Sequence, residues 1–81
     1  MVGDEDDVVV VDASGLACPM PVVELAGAVD AHPVGTRFRL LATDPAAKVD
    51  IPVWCRMKRQ KLVASDTEGD PLEFVVEKIR D

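Results

Sequence analysis

The sequence predicts an α/β fold: a two-layer sandwich of order βαβαββ, with a four-stranded mixed sheet and two helices on one of its faces. Three observations carry it. Short apolar runs rich in valine or alternating with polar residues (Val8–Val11, Thr36–Thr43, Lys61–Ser65, Leu72–Ile79) are spaced as strands. Two longer stretches between them open on proline signals, Pro19-Met20-Pro21 and Asp44-Pro45, as helices do. The last two runs are joined by Asp66-Thr67-Glu68-Gly69-Asp70, a turn-forming cluster that predicts an antiparallel hairpin.

At 81 residues the chain has room for one small core, and a hydrophobic fraction of 48% suits a folded globule. Residues 1–7, Met-Val-Gly-Asp-Glu-Asp-Asp, read as a disordered acidic tail ahead of a single domain over 8–81. The first strand, Val8 to Asp12, is apolar on both faces and therefore reads as an interior strand of a covered sheet. Helix one is expected from about Pro19 to Ala31, with Val22, Leu25, Ala26 and Val29 as its buried stripe. Gly27 and the alanines suggest close packing on the sheet. His32-Pro33-Val34-Gly35 ends the helix, and His32 reads as a helix-end residue rather than a base.

In the second strand Phe38, Leu40 and Ala42 form the core face. The second helix spans Ala46 to about Arg59, with Val49, Val53, Trp54 and Met57 expected to face inward. Pro52 lies within it, so either the helix is slightly irregular there or Asp50 caps a new one. A single irregular helix is preferred. In the third strand Leu62 and Ala64 share one face and Val63 takes the other. In the fourth, Leu72, Phe74 and Val76 face the core, with Glu73 and Glu77 toward water. The first βαβ unit should be a right-handed parallel crossover.

Composition narrows the function. Two cysteines far apart in sequence are no disulfide framework and suggest a reducing, cytoplasmic setting. One histidine leaves too few ligands for a zinc site, and no metal or cofactor is expected. No run approaches membrane-spanning length, and the N-terminus is acidic where a signal peptide is basic. Net charge is −6, with seven acids and no lysine or arginine in residues 1–30, so no direct nucleic-acid binding is expected. Arg56, Lys58, Arg59 and Lys61 form the one dense basic cluster. It is a solvated helix end by default, or a face for an acidic partner. Trp54 beside it suits core packing or the same docking surface.

The chemistry centres on Asp12-Ala13-Ser14-Gly15-Leu16-Ala17-Cys18-Pro19-Met20-Pro21. It places Cys18 where strand one turns into helix one, at the carboxyl edge of the sheet where open α/β sheets bind ligands. With Cys18 as N-cap, Pro19 would be N1 and Pro21 N3. Met20 N–H would then be the amide left to the sulfur, and the helix dipole would favour thiolate. Asp12 would order the loop, since a carboxylate touching the sulfur would oppose thiolate formation. No residue offers a general base. An isolated cysteine can also be a small core hydrophobe. Cys55 is read that way, or else as a resolving thiol for Cys18.

The pattern Asp12-x-x-Gly15-x-x-Cys18-Pro19-x-Pro21 resembles the signature of the TusA/SirA family of small sulfur-carrier proteins. Asp44-Pro45-Ala46-Ala47-Lys48-Val49-Asp50-Ile51-Pro52 is similar to that family's second helical region, so the resemblance covers the chain from Val8 to Ile79. It implies that Cys18 accepts sulfane sulfur as a persulfide from a cysteine desulfurase or another donor, then relays it to a downstream acceptor. Routes to tRNA thiolation or to sulfuration of a cofactor both exist in the family. The protein would work with partner enzymes rather than alone, as a monomer. A thiol-redox sensor using Cys18, with or without Cys55, and a non-catalytic interaction module remain the alternatives.

Overall fold

The structure, a computed structural model, describes residues 8–81; the acidic tail expected over 1–7 lies outside the described residues. Six elements follow in the predicted order: β1 (Val8–Ala13), α1 (Met20–Ala31), β2 (Arg37–Ala42), α2 (Ala47–Lys58), β3 (Lys61–Asp66) and β4 (Leu72–Glu77). The four strands form one sheet in the order β1-β2-β4-β3, with β1 parallel to β2 and both β4 pairings antiparallel. Both helices lie on one face, and among the described residues no element covers the other. The fold is the expected two-layer α/β sandwich.

The core is where the helix layer meets the central strands. Phe38 and Leu40 from β2, Phe74 and Val76 from β4, Leu25 from α1 and Ile51 from α2 are its largest fully buried side chains. Burying each removes enough apolar surface to contribute about 1.5–3 kcal/mol. Alternation holds in β2 and β4 as predicted: Phe38, Leu40 and Ala42 point inward, as do Leu72, Phe74 and Val76. On the bare face Arg39 pairs with Glu73, and Arg37 with Glu77, at 3.3 Å each.

Three expectations are corrected. β1 is an edge strand, not an interior one: Val11 and Ala13 are buried but Val10 is 58% exposed on the bare face. Its valine run reflects β-branched propensity rather than double coverage. Gly27 is exposed, and a Cβ there would meet nothing within 4 Å, so it marks no close approach to the sheet.

The largest correction is the phase of α2. Its buried residues are Ala47, Ile51 and Cys55, whereas Val49, Val53 and Met57 are exposed, Met57 by 73%, and Trp54 is half-buried. Both sets recur every four residues, so the helix carries two apolar stripes. Ile51 fills the space against the sheet, flanked by the small Ala47 and Cys55, and the other stripe faces outward. The helix is continuous through Pro52. In β3 the ladder slips between Leu62 and Ala64, a bulge at Val63 that interrupts the simple alternation.

Lys78 is a feature the sequence reading missed. It is only 5% exposed, and its Nζ donates to the Val29 and His32 carbonyls at 2.8 Å each. A buried cation thus closes the negative end of α1. His32 lies at that same end, as expected, with Nδ1 2.8 Å from the Ala28 carbonyl and its ring edge-on to Phe38.

Candidate functional site

Parallel strands end at the same edge of a sheet, so the loop leaving β1 and the loop leaving β2 are neighbours. Residues 14–19 and 43–46 meet there and build the site together. Asp12 accepts the Ser14 amide at 3.0 Å, which pulls its carboxyl below the usual range and orders the turn. Gly15 takes a left-handed φ of 83° and donates its amide to Thr43 Oγ1 at 2.8 Å. Only glycine adopts that conformation without strain. Leu16 packs against the core and anchors the loop from below.

Cys18 follows, exposed and free. Its amide donates to Asp44 Oδ2 at 2.7 Å, while Asp44 Oδ1 accepts the Ala46 amide at 2.9 Å. One carboxylate therefore staples the cysteine loop to the start of α2. Those two amides hold the Asp44 carboxyl below its ordinary value.

The thiol does not cap α1. The N-cap is Pro19, with no side-chain capping bond, and the Met20 amide is already used by the Ala17 carbonyl at 2.8 Å. The sulfur turns instead toward α2 and donates to Asp50 Oδ2 at 2.9 Å. That bond raises the Cys18 thiol above its ordinary value, with burial and the charges of Asp50 and Asp44 acting in the same direction. The expected thiolate-favouring cap is thus replaced by a thiol held protonated against a carboxylate. Asp50 is also the proton acceptor that the sequence reading found lacking. Its position in the first turn of α2 suggested only a cap.

Beside the sulfur lies an open groove of about 320 Å³, walled by Pro19 and Val22 from the α1 side and by Val53, Trp54 and Met57 from α2. Met20 is exposed, whereas Pro21 is buried in the first turn of α1. Val53 and Met57 of the outward stripe of α2 therefore serve this groove, not the core. Arg56, Lys58, Arg59 and Lys61 are all exposed, at the other end of α2. Along the helix axis Arg56 lies roughly 9 Å and Arg59 roughly 13 Å from Asp50. Arg56 and Lys58 sit in its last turn, where cations are favoured, and Arg59 adopts a left-handed φ of 58° as the C-cap.

Cys55 points into the core, 3% exposed, and burial pushes its thiol up to about 11. It is free, like Cys18. No helix among the described residues is long and apolar enough to cross a membrane.

Fold and site together define a small α/β protein whose one exposed cysteine stands on a stapled loop at the mouth of an apolar groove. The family described as sulfurtransferase TusA matches residues 9–78, and the chain belongs to that family. It is also 39% identical over 69 residues to the Bacillus subtilis (strain 168) protein named "Putative sulfur carrier protein YrkI", a match covering 85% of this chain and 92% of that protein.

Proposed function

We propose that this protein is a sulfur carrier in which Cys18 accepts sulfane sulfur as a persulfide and relays it to an acceptor. The donor is a cysteine desulfurase or a protein of similar chemistry. The Cys18 sulfur attacks the outer sulfur of the donor's persulfide; the donor's S–S bond breaks and its thiolate leaves with the electron pair. The Cys18 proton returns to that thiolate, so one sulfur atom moves and nothing is oxidised overall. The acceptor then attacks the outer sulfur on Cys18, leading toward tRNA thiolation or sulfuration of a cofactor.

The observation that carries this reading is the exposure of Cys18 on a loop fixed at both ends, beside a groove with an apolar lining. Family membership supports it. A reducing, cytoplasmic setting suits a free exposed thiol. Trp54 and the apolar wall of the groove are suited to contact a partner's sulfur-bearing segment, with Arg56, Lys58, Arg59 and Lys61 further along α2 to attract an acidic one. The redox-pair reading is less favoured because Cys55 points into the core.

The test is mass spectrometry of the Cys18 peptide after incubation with a cysteine desulfurase and cysteine. A gain of one sulfur atom on Cys18, absent in Cys18→Ser, is expected. An unmodified Cys18 with an active donor refutes the reading.

A further inference from the structure

A carrier must keep its sulfur between donor and acceptor, in a cytosol full of small nucleophiles. We propose that Asp50 is the residue that makes Cys18 retain its load, by opposing the thiolate that discharge leaves behind. The inference rests on the carrier reading of Cys18 and adds a second reacting-centre residue to it.

In the loaded state the side chain is Cys18 Cβ–Sγ–S, with the transferable sulfur outermost. A nucleophile attacks that outer sulfur and forms a bond to it. The S–S bond breaks, its electron pair stays on Sγ, and Cys18 becomes a thiolate that must then take a proton from water. Thiol–disulfide chemistry is faster when the leaving thiol is more acidic. In the empty protein Sγ lies 2.9 Å from Asp50 Oδ2 as a hydrogen-bond donor. A thiolate at that position has no proton to share, and it faces a carboxylate at contact distance instead.

The surroundings offer no relief. Among the described residues, the charged groups acting on this sulfur are Asp50 and Asp44, both acids. The Asp44 carboxylate is fixed at 2.7 Å from the Cys18 amide. α1 contributes Pro19 and Val22, and the rest of the α2 wall is Val53, Trp54 and Met57, none of them titratable. Lys48, the cation nearest Asp50 in sequence, lines a different hollow beside the β3–β4 turn. Discharge in free solution is therefore disfavoured, and an acceptor accelerates it by neutralising or displacing Asp50. Once Cys18 is empty and reprotonated, the Sγ–H···Oδ2 bond re-forms and the idle thiol is again a poor nucleophile at neutral pH. One carboxylate thus guards both states.

The experiment compares wild type, Asp50→Asn and Asp50→Glu. Cys18 is loaded with inorganic polysulfide, excess reagent is removed, and a neutral water-soluble trialkylphosphine is added. The phosphine takes the outer sulfur as phosphine sulfide: phosphorus is oxidised, the sulfane sulfur is reduced, and Cys18 is released as the thiol. Being uncharged, the phosphine is not itself repelled by Asp50. Loss of one sulfur from the Cys18 peptide is followed by mass spectrometry. Asp50→Asn is expected to discharge roughly threefold faster or more, with Asp50→Glu close to wild type. The half-maximal pH for alkylation of the empty Cys18 should fall in Asp50→Asn, a shift that a merely structural role does not produce. Thermal melts confirm that each variant is folded, and Asp50→Glu keeps the comparison decisive if Asp50→Asn is not. Equal or slower discharge from Asp50→Asn, loss of retention in Asp50→Glu, or an unchanged alkylation profile overturns the proposal. None of these outcomes touches the carrier reading, which fails only if a desulfurase cannot load Cys18.

Discussion

Cys18 and Asp50, 32 residues apart, meet as donor and acceptor across 2.9 Å, where the chain after β1 crosses the first turn of α2. The pairing makes the site a joint product of two loops. Damage to either loop should therefore register at the sulfur.

Asp44 is the first place to look. It accepts the amides of Cys18 and Ala46. Replacing it with alanine leaves both donors to water and should destabilise the fold, read as a lowered urea midpoint. The sign with pH follows from its depressed carboxyl. The stabilisation is present above the ordinary aspartate value of about 3.9 and is lost as pH falls through the lower folded-state value. Wild type should thus lose more stability on acidification than Asp44→Ala. Parallel acid titrations of the two would refute this if they matched.

Lys78→Met should destabilise by about 1–3 kcal/mol. It keeps much of the buried stem but leaves the Val29 and His32 carbonyls without their charged donor. Calorimetry would show a lower melting temperature, with backbone exchange rising first at the end of α1. A variant that melts like wild type would mean that water replaces the ammonium at no cost.

The misread features of this chain share a cause. Period and composition revealed all six elements, because β2 and β4 alternate cleanly and proline marks both helix starts. They could not choose between Ile51 with Cys55 and Val53 with Met57, since both stripes are apolar at the same spacing. Nor could they reveal that the Met20 amide is taken by Ala17 rather than by sulfur. The Cys18–Asp50 contact is non-local; seeing it requires β1 and β2 to be known as parallel neighbours. Cys18 itself was legible because proline and glycine fix the backbone around it.

Cys55 gives an alkaline signature. Its thiol ionises near 11 in the fold against about 8.5 for a free cysteine. A raised value favours the protonated folded form, so this contribution is whole below about pH 8.5 and is lost as pH rises toward 11. It should amount to something on the order of 3 kcal/mol at most. Cys55→Ala, though less stable at neutral pH, should show a flatter decline in that window. An equally steep decline would assign the alkaline limb to other groups.

The basic end of α2 predicts a kinetic effect. Arg56→Glu with Arg59→Glu should slow partner-dependent transfer from Cys18 severalfold at low salt, and added salt should shrink the gap. The chemistry at Cys18 should not change, since the two arginines lie roughly 9 and 13 Å along the helix from Asp50. Stability should fall only by several tenths of a kcal/mol for each acid placed at the negative helix end. Transfer matching wild type at low salt would leave the cluster as a solvated helix terminus.

The order β1-β2-β4-β3 also has a bearing on synthesis. The fourth strand in chain order is a central one, and among the described residues β3 pairs only with β4. A nascent chain that has not yet released Leu72–Glu77 holds β3 with no ladder to join and the inner edge of β2 uncovered. Half of the buried phenylalanine pair, Phe74, is also missing at that stage. The sheet therefore cannot close until β4 is available to pair with both β2 and β3.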